Sequence, residues 1–179
     1  MPFIGVFDSG VGGLSVLAAL RAELPHERFV YFADTAYAPY GERGEAYVIE
    51  RSRKVTEQLI AEHGIKALVV ACNTATTAAI HLLRAEHPGL PIVGLEPALK
   101  PAVATSRTAH ISVMATRGTL ASARYAALRK SFARSATVRA VPCDGLVKAI
   151  EGLDTAAIAA LCERYRACLL YTSPSPRDS

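Results

Sequence analysis

The sequence predicts an α/β protein built on mainly parallel sheets, and three observations predict it. Short β-branched or aromatic runs alternate with longer amphipathic ones, the pattern of repeated strand–helix units. Apolar runs pass directly into helix starts, as in FDSGVGGLS and ACNTATTAA. The 179 residues are enough for one ordinary α/β domain or two small ones with a real core.

The elements follow in order. The first strand is expected from Phe3 to Phe7, and the first helix from Gly12 to Leu24, with Leu14, Leu17, Leu20 and Leu24 on one face and Pro25 stopping it. A second strand, Arg28 to Phe32, precedes a helix from Glu45 to Glu62 that is charged outside and ends at Gly64, a residue suited to a left-handed cap. The third strand, Ala67 to Ala71, leads into a helix from Thr74 to Glu86. The fourth, Pro91 to Gly94, leads into Pro97 to Thr105, with proline in the first turn. Strands at Ile111 to Ala115 and Thr137 to Val141 precede helices at Arg117 to Lys130 and Cys143 to Glu151. A last helix, Asp154 to Arg166, gives way to LLYTSPSPRDS, which is rich in proline and serine and has no periodicity. That wording resembles translated adapter read-through, so residues from about Cys168 onward are expected to be non-native and disordered, and the native chain to be longer.

Composition narrows the function. Hydrophobic residues make up 51% and charged residues 20%, and the formal charge of +4 is spread along arginine-rich helices rather than gathered in a block, which argues against nucleic acid as a partner. The N-terminus has no basic leader or cleavage site, and no apolar run approaches a membrane span, so a cytoplasmic protein is expected. The four cysteines, Cys72, Cys143, Cys162 and Cys168, form no CxxC pair; reduced thiols are expected rather than disulfides or a metal site.

In a parallel sheet, ligands bind beyond the carboxyl ends of the strands, where helix N-termini present free amides. Asp8 and Ser9 close the first strand, Cys72, Asn73 and Thr74 follow the third, and Thr116 and Thr119 follow the fifth. The loop DTAYAPYG brings Tyr40 and Gly41. GVGGLS lacks the lysine of a P-loop and the third glycine of a dinucleotide fingerprint, although Asp34 supplies an acidic residue after the second strand. A nucleotide-binding module without catalysis is therefore one reading, and a simple tight turn is the other. Cys72 is open to two readings as well. It is either one more small buried residue or a thiol whose ionised form is favoured by helix amides and dipole. Asp8, Ser9 and the threonines also fit plain helix capping. If the first and third strands flank one crevice, a carboxylate, a hydroxyl and a thiol share a pocket.

Five segments in this order and spacing, FDSGVGGLSV, YFADTAYAPYG, ACNTATTAA, GLEPALKPA and MATRGTLAS, resemble the bacterial glutamate racemases of the aspartate/glutamate racemase family. The resemblance implies two Rossmann-like lobes, residues 1–96 and 97–167, with the second truncated and residues 168–179 a tail. It implies cofactor-independent racemisation of glutamate between two thiols, yielding D-glutamate for peptidoglycan, by a homodimer in the full-length protein. On this resemblance Cys72 is an acid/base thiol with Asp8 beside it. Ser9, Tyr40, Gly41, Asn73, Thr74, Thr116 and Thr119 bind substrate, and Glu151 matches a glutamate that orients a histidine near the second thiol. The chain departs from the pattern in having no Cys-Thr-His segment, and Cys143 precedes GLVKAIE rather than following it. A fragment lacking one base, and inactive alone, is expected. An aspartate-specific relative is the alternative within the family.

Overall fold

The structure, a computed structural model, describes residues 2–170. Strands β1 (Ile4–Asp8), β2 (Phe29–Ala33), β3 (Ala67–Val70) and β4 (Ile92–Gly94) form a parallel sheet in the order β2-β1-β3-β4. β1 lies at the centre, with Val6 opposite both Tyr31 and Val69, and all five of its residues are buried. The two-residue period of a strand divides its side chains between two covering layers. Ile4, Val6 and Val69 meet helix α1 (Leu14–Glu23) through Val16, Leu17 and Leu20. Phe7, Leu68 and Val70 meet α2 (Glu45–His63) and α3 (Asn73–Glu86) through Val55, Leu59, Ala79, Ile80 and Leu83. Each fully buried large side chain there contributes about 1.5–3 kcal/mol, so this face holds most of the stability. Because β2 and β3 lie on opposite sides of β1, the connections leaving β1 and β3 diverge and open a crevice at their carboxyl ends.

Several boundaries differ from expectation. Leu14 and Leu24 are exposed, because only the middle turns of α1 lie over the small Ile4, Val6 and Val69 patch. α2 ends at Gly64 with φ of 54°, the left-handed cap the sequence anticipates. The helix expected from Arg117 to Lys130 is broken into α5 (Arg117–Ala121) and α6 (Ala123–Ser131). Ser122 causes the break: its backbone is extended and its Oγ accepts from Tyr125 N, so it caps a new helix instead of continuing the old one. α4 (Leu99–Thr105) begins two residues after Pro97, and α7 (Leu146–Glu151) begins only after Gly145, at φ 77°. α8 (Thr155–Leu170) runs past Cys168, so residues 168–170, expected to be disordered, are helical; residues 171–179 of the expected tail lie outside the described residues.

A second sheet pairs β5 (His110–Ala115) with β6 (Thr137–Pro142), again parallel. It packs on α7 and α8 through Val141, Cys143, Leu146, Leu161 and Tyr165, and leaves Met114 exposed. Cys72, Cys143 and Cys162 are free thiols, and no described helix is long and apolar enough to cross a membrane.

Candidate active site

The strand ends converge. A cavity of about 400 Å³ opens where β1, β3 and β5 finish. Asp8, Ser9, Cys72, Asn73 and Thr74 line it from the first sheet, and Thr116 and Thr119 from the second. Cys143 and Glu151 complete the far wall. A larger cavity, about 660 Å³, opens between α2, α3 and α6 and shares only Thr74 with this one. Its Arg124 is already committed to Glu96 and His81, and it is lined by no thiol, whereas the smaller cavity sets Cys72 and Cys143 beside carboxylates and hydroxyls.

Cys72 is the N-cap of α3, and its Sγ accepts from Ala75 N at 3.4 Å. Ser9 Oγ lies 3.5 Å from the same sulfur. Asp8 Oδ2 accepts from Gly10 N at 3.2 Å and Gly13 N at 3.0 Å, so this carboxylate holds the glycine turn rather than capping the helix, whose N-cap is Gly13. The expectation that helix amides lower the thiol pKa is corrected by the surroundings. Burial, and then the nearby Asp8 charge, push the Cys72 thiol up, and the bonds from Ser9 and Ala75 oppose them without prevailing. Neutralising Asp8 removes a raising influence, so Asp8→Asn is expected to move the pH midpoint of Cys72 alkylation down. Ser9→Ala removes a lowering one and moves it up. Iodoacetamide labelling followed by peptide mass spectrometry over a pH series reads both, and shifts of the same sign would show that the two neighbours do not act as assigned.

In the same cavity, three hydroxyls close a ring. Thr74 Oγ1 lies 3.1 Å from Thr116 Oγ1 and 3.3 Å from Thr119 Oγ1, and Thr116 Oγ1 donates to Thr119 Oγ1 at 3.1 Å. Each hydroxyl has one proton to give, so the ring uses the donors a carboxylate would recruit. An incoming carboxylate must turn at least one hydroxyl outward. Nearby, Gly41 approaches Thr116 so closely that a Cβ would stand 2.5 Å from Thr116 Cβ, which only glycine accommodates.

Two predicted residues lie away from the cavity. Tyr40 is 1% exposed, and its hydroxyl donates to Asp34 Oδ2 at 2.5 Å. Arg51 donates to both oxygens of the same carboxylate, at 2.9 and 2.8 Å, and stacks on Tyr37. Tyr40 therefore faces inward because the buried Asp34 needs donors, and Gly41 lines a small adjoining recess that shares Thr116, Cys143 and Val147 with the cavity. The same network answers the nucleotide reading. Asp34 is committed to Arg51 and Tyr40, and the amides of Gly10, Gly13 and Val11 are held by Asp8 and Glu151 rather than left for a phosphate.

Residues 14–169 match the Asp/Glu/Hydantoin racemase family. The chain belongs to that family. The matched span contains Cys72, Asn73, Thr74, Thr116 and Thr119, and begins just after Asp8 and Ser9. Among relatives, the chain is 55% identical over 148 residues to a glutamate racemase of Ectopseudomonas mendocina, covering 83% of this chain and 56% of that one. It is 53% identical over 151 residues to that of Pseudomonas aeruginosa, covering 84% and 57%. The chain thus spans little more than half the length of these curated relatives. Among solved structures, Escherichia coli glutamate racemase, in complex with L-glutamate and the activator UDP-MurNAc-ala, superposes with a TM-score of 0.82 at 32% identity, covering 97% of this chain and 66% of that one. A glutamate racemase of Bacillus anthracis gives 0.81 at 31% identity, covering 94% and 64%.

Three residues at or beneath the cavity act in ways the sequence does not announce: Tyr31, which it does not single out, Cys143, which its motif context sets aside, and Glu151, whose bond to the glycine turn it does not anticipate. Tyr31 donates to Gly10 O at 2.7 Å beneath the glycine turn. Cys143 lines the cavity because β5 and β6 end level: its amide donates to Ala115 O at 3.0 Å, and its Sγ to Val141 O at 3.4 Å. Glu151 accepts from Val11 N at 3.0 Å. Strand-end position could have flagged Cys143, which directly follows the sixth strand; nothing local flags Tyr31.

Proposed function

We propose that this chain carries the glutamate-binding crevice and one of the two acid/base thiols of a cofactor-independent glutamate racemase. Cys72 Sγ, as thiolate, takes the Cα proton; the Cα–H bond breaks and its electron pair is delocalised into the adjoining carboxylate. A thiol on the opposite face of the substrate returns a proton. The Cα–H of an amino acid is a very weak acid, so the crevice must stabilise the developing charge with donors already in place. Asn73 supplies one, the Thr74, Thr116 and Thr119 ring supplies others once a hydroxyl turns outward, and Asp8 attracts the substrate ammonium, which in turn offsets the charge that, after burial, holds the Cys72 thiol up. The observation that carries this reading is the placement of Ser9 Oγ 3.5 Å from Cys72 Sγ in a cavity that the threonine ring also lines. The glutamate racemases it resembles support the choice of substrate. Residues 1–96 and 97–167 form the two lobes that close on glutamate. The product, D-glutamate, serves peptidoglycan synthesis in the cytoplasm, and the full-length protein acts as a homodimer.

The test is proton NMR in deuterium oxide with each enantiomer of glutamate and of aspartate. With Cys72 acting alone, solvent deuterium enters Cα of one glutamate enantiomer without interconversion. Full interconversion would place a second base in the cavity, where Cys143 is the thiol available, and exchange of aspartate alone would reassign the substrate.

A further inference from the structure

The peptide joining Gly10 to Val11 is held at both ends. Tyr31 Oη donates to its carbonyl at 2.7 Å from β2, and Glu151 Oε1 accepts from its N–H at 3.0 Å from α7. The contact is close enough that a Cβ on Gly10 would stand 1.8 Å from Glu151 Oε1, so only glycine leaves room for this carboxylate in its present place. One residue upstream, Gly10 N donates to Asp8 Oδ2, and Ser9, between the two, places its Oγ against Cys72 Sγ. A short turn with glycines at 10, 12 and 13 would otherwise sample many orientations, and a peptide plane fixed on both its polar atoms cannot rotate without breaking both bonds. Tyr31 is suited to its part: burial, then the charges of Asp8, Glu151 and Cys72, hold its phenol well above the ordinary value, so it remains a donor wherever the thiol titrates.

We propose that Tyr31 and Glu151 are positioning residues for Cys72, acting through the clamped Gly10–Val11 peptide on the Ser9 hydroxyl. Neither touches the sulfur. Glu151 comes from the second sheet's side of the molecule, so the clamp also ties the placement of that half to the surroundings of the thiol in the first. The inference rests on the reading of Cys72 as the base, yet its test needs no substrate, so the two can fail separately.

The test is the pH profile of Cys72 alkylation by iodoacetamide, resolved by peptide mass spectrometry, with Cys143 in the same chain as internal reference. Tyr31→Phe removes only the hydroxyl, and Glu151→Ala removes the acceptor together with its charge. Each is expected to raise the Cys72 midpoint and slow its labelling below that midpoint by about fivefold, the weight of one ordinary hydrogen bond. Glu151→Gln retains an acceptor for Val11 N and should restore the native profile. In a Ser9→Ala background Tyr31→Phe should add nothing, because the route to the sulfur is already cut. The proposal is overturned if Tyr31→Phe leaves the Cys72 profile unmoved, shifts it equally with and without Ser9, or moves Cys143 as much as Cys72. If those shifts appear but native protein exchanges no Cα proton of glutamate, the clamp stands and the racemase reading does not.

Discussion

Cys72→Ser is expected to reduce Cα deuterium exchange on glutamate by about a thousandfold, the scale of losing a positioned acid/base group. A serine hydroxyl in the same place is a far weaker acid than a thiol, even one held above its ordinary value by burial and Asp8. The variant separates chemistry from folding, because serine is a preferred helix N-cap and can accept from Ala75 N as the sulfur does. Thermal unfolding should therefore shift little while exchange collapses. In the native protein the rate should climb with pH until the Cys72 thiol, held above its ordinary value by burial and Asp8, has titrated. Measurement is by loss of the Cα proton signal in deuterium oxide for native and variant protein. Exchange in the variant within about tenfold of native would remove Cys72 from the reaction.

Arg51→Ala is expected to cost about 3–5 kcal/mol of stability, as breaking a buried ion pair generally does. Asp34 is 4% exposed, and its oxygens accept from Tyr40 and twice from Arg51. Without the guanidinium, a buried carboxylate keeps only the tyrosine hydroxyl. The double change Asp34→Asn with Arg51→Met removes both charges and should cost distinctly less. Denaturant unfolding of the three proteins decides the matter, and a loss below about 1 kcal/mol in Arg51→Ala would mean the pair is no more than a surface contact. The pair also anchors the turn that brings Gly41 against Thr116, so the loss should loosen the approach of the two halves at the threonine ring.

Much of the site is legible along the chain because strand ends are. Asp8 and Cys72 each close an apolar run, and adjacent parallel strands place such residues together whatever the rest of the fold does. The threonines after β3 and β5 follow the same logic, although their mutual bonds, across 42 and 45 positions, do not. Tyr40 was not legible in this way. Its motif implied a substrate contact, but the direction of its side chain was decided by the need of buried Asp34 for donors. Tyr31 sits between Val30 and Phe32 in a run that reads simply as strand, and only the packing of β2 beside β1 aims its hydroxyl under the glycine turn. Cys143 was set aside for its motif context, while the level ends of β5 and β6 bring it to the cavity wall.

By itself, then, the amino-acid order determined the alternation of strands and helices, the parallel sheets and the place of a sulfur at the start of α3, since periodicity and capping act over a few neighbouring residues. Only the tertiary structure decided which way that sulfur's proton equilibrium leans. The amide of Ala75 is a local influence and can be read from sequence. The burial that outweighs it belongs to the packed pocket as a whole, and the Asp8 charge that adds to it comes from more than sixty positions away, brought within reach by the pairing of β1 with β3.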